Sequence, residues 1–145
     1  MPKTLLLLKS IVLMLSMLTF AHACKKTANY TVEGNYNLRA EQTVSLVEGS
    51  KNTLTASNFA DSRCPINVDC VWEGTASIKV AITIDGKTEN LELCKGGCNV
   101  TKQATQHEFS INGIDYTIEL ADLTPYPDLP KTSTEQTAKL LIKKK

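Results

Sequence analysis

The side chains best suited to chemistry in this sequence are its five cysteines, Cys24, Cys64, Cys70, Cys94 and Cys98. Cys64 and Cys70 enclose a short segment that begins with Pro65, while Cys94 and Cys98 enclose Lys95, Gly96 and Gly97. Each spacing suits a small disulfide ring, and the two glycines permit the positive φ that closing the tighter ring requires. By loop entropy the larger ring contributes on the order of 2 kcal/mol. Four cysteines admit three pairings, so sequence alone leaves a cross-linked arrangement open. A strained Cys94–Cys98 bond would be easily reduced, which makes redox chemistry there an alternative to a structural clasp. Its spacing is not the C-x-x-C of thioredoxin-like motifs, and no βαβ pattern surrounds it. Nor does the spacing of these four cysteines match a structural zinc site.

Other catalytic groups are sparse. His107 alternates with Phe109 on one strand parity, which makes it a packed or edge residue. A Ser-His-Asp or Cys-His site would need a positioned nucleophile beside it, and no G-x-S-x-G occurs. Blue copper needs two histidines and a thiolate, and the acidic residues lack the spacing of a calcium loop. The expectation is a non-enzyme with no metal and no cofactor. The charges that remain of interest flank the Cys64–Cys70 ring: Asp61, Arg63, Asp69 and Glu73. One reading pairs Arg63 with Glu73 across the ring, with Trp72 packed beneath. The other makes the ring a rigid loop presenting these charges to a ligand, since little ordering entropy is lost on binding. Tyr126, held between Pro125 and Pro127, is a further recognition candidate or a residue packed across its own loop.

Residues Met1 to Ala23 have the three-part layout of a cleaved secretion signal: Lys3 and Lys9, an apolar run from Ile11 to Phe20, then Ala21-His22-Ala23. Lys9 leaves that run too short to span a membrane. Export places the cysteines in an oxidising compartment. Small residues followed by Cys24 resemble a bacterial lipobox, although Ala21 stands where leucine is usual. Lipidation of Cys24 would account for the odd cysteine and fasten the chain to a membrane. The alternative is plain cleavage after Ala23, giving a secreted or periplasmic protein. Because Lys25 is not aspartate, the lipobox resemblance implies the outer membrane. Two N-x-T triplets, at Asn29 and Asn99, matter only in a eukaryotic source. Of 16 basic and 15 acidic residues, two lysines leave with the signal, so the exported chain is near neutral and lacks the footprint of a nucleic-acid binder.

The rest of the chain must position the rings. Residues 24–35 are polar and read as a tether; 36–145 read as one domain. From Trp72 to Ile84 every second residue is apolar or small, the pattern of a long strand with one buried face. Asp85-Gly86 then offers a tight turn into a return strand with Leu91 and Leu93. Asn112-Gly113 sits between the alternating runs Phe109–Ile111 and Ile114–Leu120, a strong hairpin signal. Val44 with Leu46, Leu54 with Ala56, and Ala138 through Ile142 suggest three more strands. No sustained helical period occurs. These runs predict an all-β fold: one antiparallel, immunoglobulin-like sandwich or small barrel of about seven strands, with local disulfides. Pro125–Pro130 and the Ser/Thr-rich stretch after it form one long loop, and Lys143–Lys145 form a solvated tail.

The run DSRCP-x-x-V-x-CVW-x-G from Asp61 to Gly74 resembles a group of small secreted or lipid-anchored bacterial proteins common in Bacteroidetes. The Tyr116–Leu120 strand, the Thr124–Pro127 segment and the last strand are similar to the same group. The resemblance implies no catalytic residue, and the Cys94–Cys98 ring lies outside it. The functional expectation is therefore a monomeric envelope lipoprotein, held to the membrane by lipid, that binds a protein or glycan. Inhibition of a secreted hydrolase through the Cys64–Cys70 loop, or redox chemistry at Cys94 and Cys98, are the alternatives.

Overall fold

A computed structural model describes residues 32–129 and 135–145 of the chain. The expected signal, the Cys24 lipidation site and most of the tether lie outside the described residues. The alternating runs form strands β1 (Gly34–Arg39), β2 (Thr43–Ser45), β3 (Thr53–Asp61), β4 (Thr75–Ile84), β5 (Lys87–Gly96), β6 (Gln106–Ile111), β7 (Ile114–Thr124) and β8 (Thr137–Lys144). One short helix, α1 (Cys98–Thr101), follows β5.

The strands pair antiparallel in two four-stranded sheets, β1-β8-β7-β6 and β2-β3-β4-β5. Neither sheet closes on itself, so the sandwich and not the barrel is the architecture. The layering is that of immunoglobulin-like domains, while the strand order is two meanders in which only β1 joins out of sequence, beside β8. Period-two burial drives the packing. Ala76, Ile78, Val80 and Ile82 of β4 face Ile118, Leu120, Leu140 and Ile142 of the other sheet's central strands, all nearly fully buried. Each buried valine, leucine or isoleucine among them contributes about 1.5–3 kcal/mol relative to exposure.

β1 adds a strand beyond those expected. Val32, Tyr36 and Leu38 alternate inward, and the strand starts at Gly34, inside the segment read as tether. The Tyr36 hydroxyl donates to the Val32 carbonyl at 2.8 Å, fixing the chain where it joins the sandwich. β8 runs on through Lys144, so part of the lysine tail is strand; Lys143 meets Glu119 at 3.0 Å and Lys145 meets Glu108 at 2.8 Å. Such exposed pairs contribute little.

The strand directions give the sandwich two distinct poles. At one, β1 begins opposite Ile142, and the turns at Asp85-Gly86 and Asn112-Gly113 take the positive φ of a two-residue hairpin. Gly49, Asp85, Gly86 and Asn112 line one hollow there. At the other pole lie the long β3–β4 and β7–β8 connections. Two β-bulges shape this second pole, one between Ser57 and Ala60 and one between Leu120 and Asp122. A bulge inserts one extra residue and re-aims the side chains beyond it. In β7 it turns Leu123 into the core and frees Asp122 to face the β3–β4 loop.

Candidate functional site

The structure reshapes the segment from Asp61 to Gly74. β4 begins at Thr75 and not at Trp72, because Gly74 takes φ +69° and ends the strand geometry. A Cβ at Gly74 would lie 2.0 Å from the Ser62 carbonyl oxygen, so glycine is required where the two arms of the loop cross. Ser62 N donates to Thr75 O at 2.7 Å and Cys64 N to Glu73 O at 3.0 Å, which closes the loop's neck. Beyond the neck Cys64 bonds to Cys70, and Cys94 bonds to Cys98, so both pairings are local. The second ring has a clear role: Gly97 N donates to Gly74 O at 2.9 Å, which seats the Cys94–Cys98 clasp against the neck.

The expected Arg63–Glu73 pair does not form. Arg63 turns inward to 5% exposure and grips Asp61, Nε to Oδ1 at 2.8 Å and Nη2 to Oδ2 at 2.6 Å. Its Nη1 donates to Asp122 Oδ1 at 3.1 Å, and Nη2 donates to the Leu123 carbonyl. Tyr126 lies over the guanidinium, 4.1 Å from its carbon to the ring centre. Burial disfavours the Arg63 charge, but the hydrogen bonds and charges of Asp61 and Asp122 outweigh it and hold the pKa above its ordinary value. A planar five-donor group suits this task because it satisfies two carboxylates and a carbonyl at once. Arg63 and Asp61 therefore lock β3 to β7 across the sandwich with their charged groups turned inward, while Tyr126 stacks on the guanidinium and keeps 42% of its surface exposed. Asp69 and Glu73 are exposed, and Glu73 shares a hollow with Lys95.

Trp72 is likewise not packed beneath a salt bridge. It is 80% exposed, with Val71 at 90% and Ile66 at 69% on the same loop. The β7–β8 connection supports this crest: Ile66 N donates to Pro127 O at 3.1 Å, and the Asn67 amide exchanges hydrogen bonds with the Leu129 backbone at 2.6 and 3.2 Å. Half-exposed Leu129 extends the apolar surface. Sequence reasoning does not single out Ile66, Val71 or Leu129. Their signal is apolar side chains in and beside a ring too small to bury them.

The remaining chemistry is quiet. His107 Nε2 lies 3.1 Å from Glu89 Oε1, reaching from β6 toward β5 in the other sheet. No cluster of three or more metal-binding side chains occurs among the described residues. Hollows of about 550 and 520 Å³ are lined mainly by polar and charged residues such as Asn37, Arg39 and Gln42 or Ser50, Asn52 and Asp85. The usual ligand pocket is concave and mostly apolar; here the exposed apolar side chains stand outward on a loop. Against protein families, curated proteins and solved structures, nothing matches this chain.

Proposed function

We propose that this chain is a non-enzymatic, lipid-tethered binding module of the bacterial cell envelope. Support for export and tethering comes from the signal layout, the lipobox-like Cys24 and the two disulfides, which fit an oxidising compartment. One observation carries the binding role: a loop closed by a disulfide and clamped by a buried arginine is built to hold apolar side chains in water. Large exposed apolar surface on a stiff scaffold marks an interaction site. Two measurements test the reading. Intact mass of the protein extracted from membranes should show cleavage before Cys24 plus the acyl mass. The folded protein, immobilised, should retain an envelope protein or glycan that the reduced and unfolded protein does not. Retention of neither at several salt concentrations overturns the reading.

The projecting Cys64–Cys70 loop also favours a second reading, inhibition of a secreted hydrolase by insertion into its cleft. A panel of proteases and glycosidases left uninhibited at micromolar protein would remove it. Redox chemistry at Cys94 and Cys98 has less support, because both residues are about 1% exposed.

A further inference from the structure

We propose that the crest formed by Ile66, Val71 and Trp72, with Leu129 beside it, docks into an apolar cleft bordered by basic side chains on an exported protein. This deepens the binding-module reading and rests on it. Tryptophan is among the residue types most enriched at binding hot spots, where it works by filling a desolvated pocket. The crest projects outward, so its complement is concave. Its stiffness points to the same kind of partner: the disulfide, the Arg63 clamp and the Asn67–Leu129 exchange remove loop entropy before binding. A shaped cleft rewards that preorganisation, and a fluid bilayer does not.

Charge sets the border. Residues 64–74 and 125–129 contain no lysine or arginine, and exposed Asp69 and Asp128 flank the apolar side chains. Two crests meeting about a two-fold axis would oppose these carboxylates, which argues against a second copy as the occupant. An anionic lipid surface is disfavoured on the same ground.

Reach excludes the anchoring membrane for an upright approach. The chain joins the sandwich at the pole of the hairpin turns, and the crest stands at the other. The segment from Cys24 to Thr31 spans at most about 30 Å when fully extended. The 11 residues of β7 span roughly 35 Å from pole to pole, before either loop is added. A chain fastened at Cys24 cannot turn over and plunge its crest into the same bilayer.

The test uses the full-length chain in the cells that make it, with a photo-reactive benzoylphenylalanine replacing Val71, or replacing Asn37 or Asn112 as controls. Illumination should give a covalent adduct with one exported protein from position 71 and none with that protein from position 112. The partner, identified by mass and then purified, should bind the wild-type chain at least tenfold more tightly than Trp72→Ala, and more weakly as salt rises. Trp72 lies outside the core, so that variant should keep the wild-type thermal midpoint. Adducts with lipid alone, or with a second copy alone, overturn the proposal, as does an affinity that Trp72→Ala or salt leaves unchanged. A protein adduct from position 37 or 112 but not 71 overturns the crest assignment while the binding-module reading stands. No protein adduct from any of the three overturns the proposal; the binding-module reading falls with it only if the immobilised protein also retains no glycan.

Discussion

A guanidinium at 5% exposure persists in a small β-sandwich because every face of it is answered. Asp61 takes one edge, Asp122 and the Leu123 carbonyl take the others, and Tyr126 covers the plane. Removing one partner from such a buried set leaves an uncompensated charge, which costs about 3–5 kcal/mol. Asp61→Asn and Arg63→Ala should each destabilise the domain by that order, measured by urea unfolding. Arg63→Lys should recover only part of the loss, since a point charge cannot match the forked geometry. A residue free to bind ligand would instead show unchanged stability in all three. The charges around Cys64 were legible in the sequence, but their pairing was not. Glu73 stands at the far end of the ring, where closure could bring it opposite Arg63, but the partners are Asp61, two residues away, and Asp122, brought in from the other sheet by a bulge that no local pattern announces. Trp72 misled for a related reason: it keeps the parity of Ala76 and Ile78, yet Gly74 ends the strand between them.

At the scale of elements, most strands could be read from alternation, and both Asp-Gly and Asn-Gly turns adopt the geometry their residues favour. β1 escaped because only Val32, Tyr36 and Leu38 carry its signal amid polar neighbours. It is nonetheless the strand that receives the incoming chain. Burial and the charge of Tyr116 both push the Tyr36 phenol above its ordinary value near 10. The folded state thus prefers the neutral phenol, so its contribution is complete below about pH 10 and lost as pH rises through the elevated folded value. Tyr36→Phe should lower stability by about 1 kcal/mol at neutral pH, the worth of its hydrogen bond to Val32. The difference between variant and wild type should then shrink in thermal melts above pH 10; a gap that widens would contradict this account. The two disulfides should also separate by access. Cys70 is exposed and Cys64 half-buried, whereas both Cys94 and Cys98 are buried. Mild reductant followed by alkylation should label Cys64 and Cys70 first, read by peptide mass, with the second pair yielding only when the domain unfolds. Early labelling at Cys94 and Cys98 would revive a redox role for them.

For the whole molecule, the decisive property is polarity: the chain arrives at one end of the sandwich and the crest leaves from the other. That arrangement follows from strand parity. β1 runs from the hairpin-turn pole toward the loop pole, and β3 delivers its C-terminal end, with the Cys64–Cys70 loop, to that same loop pole. If Cys24 carries lipid, the domain should stand with Trp72 outward. Trp72 is the only tryptophan in the chain, so intrinsic fluorescence reports on the crest alone. In vesicles bearing the full-length lipidated protein, a nitroxide quencher attached to lipid headgroups should leave Trp72 emission essentially unchanged. Soluble iodide should quench it strongly, because an 80% exposed indole meets solvent on most of its surface. A fluorophore placed at Asn112 should respond to the headgroup quencher, since that turn shares the pole where the tether joins. Quenching of Trp72 by the lipid-borne nitroxide would mean that the domain lies down on the bilayer. The crest would then be a membrane contact, and the outward-facing geometry on which a protein partner depends would be lost.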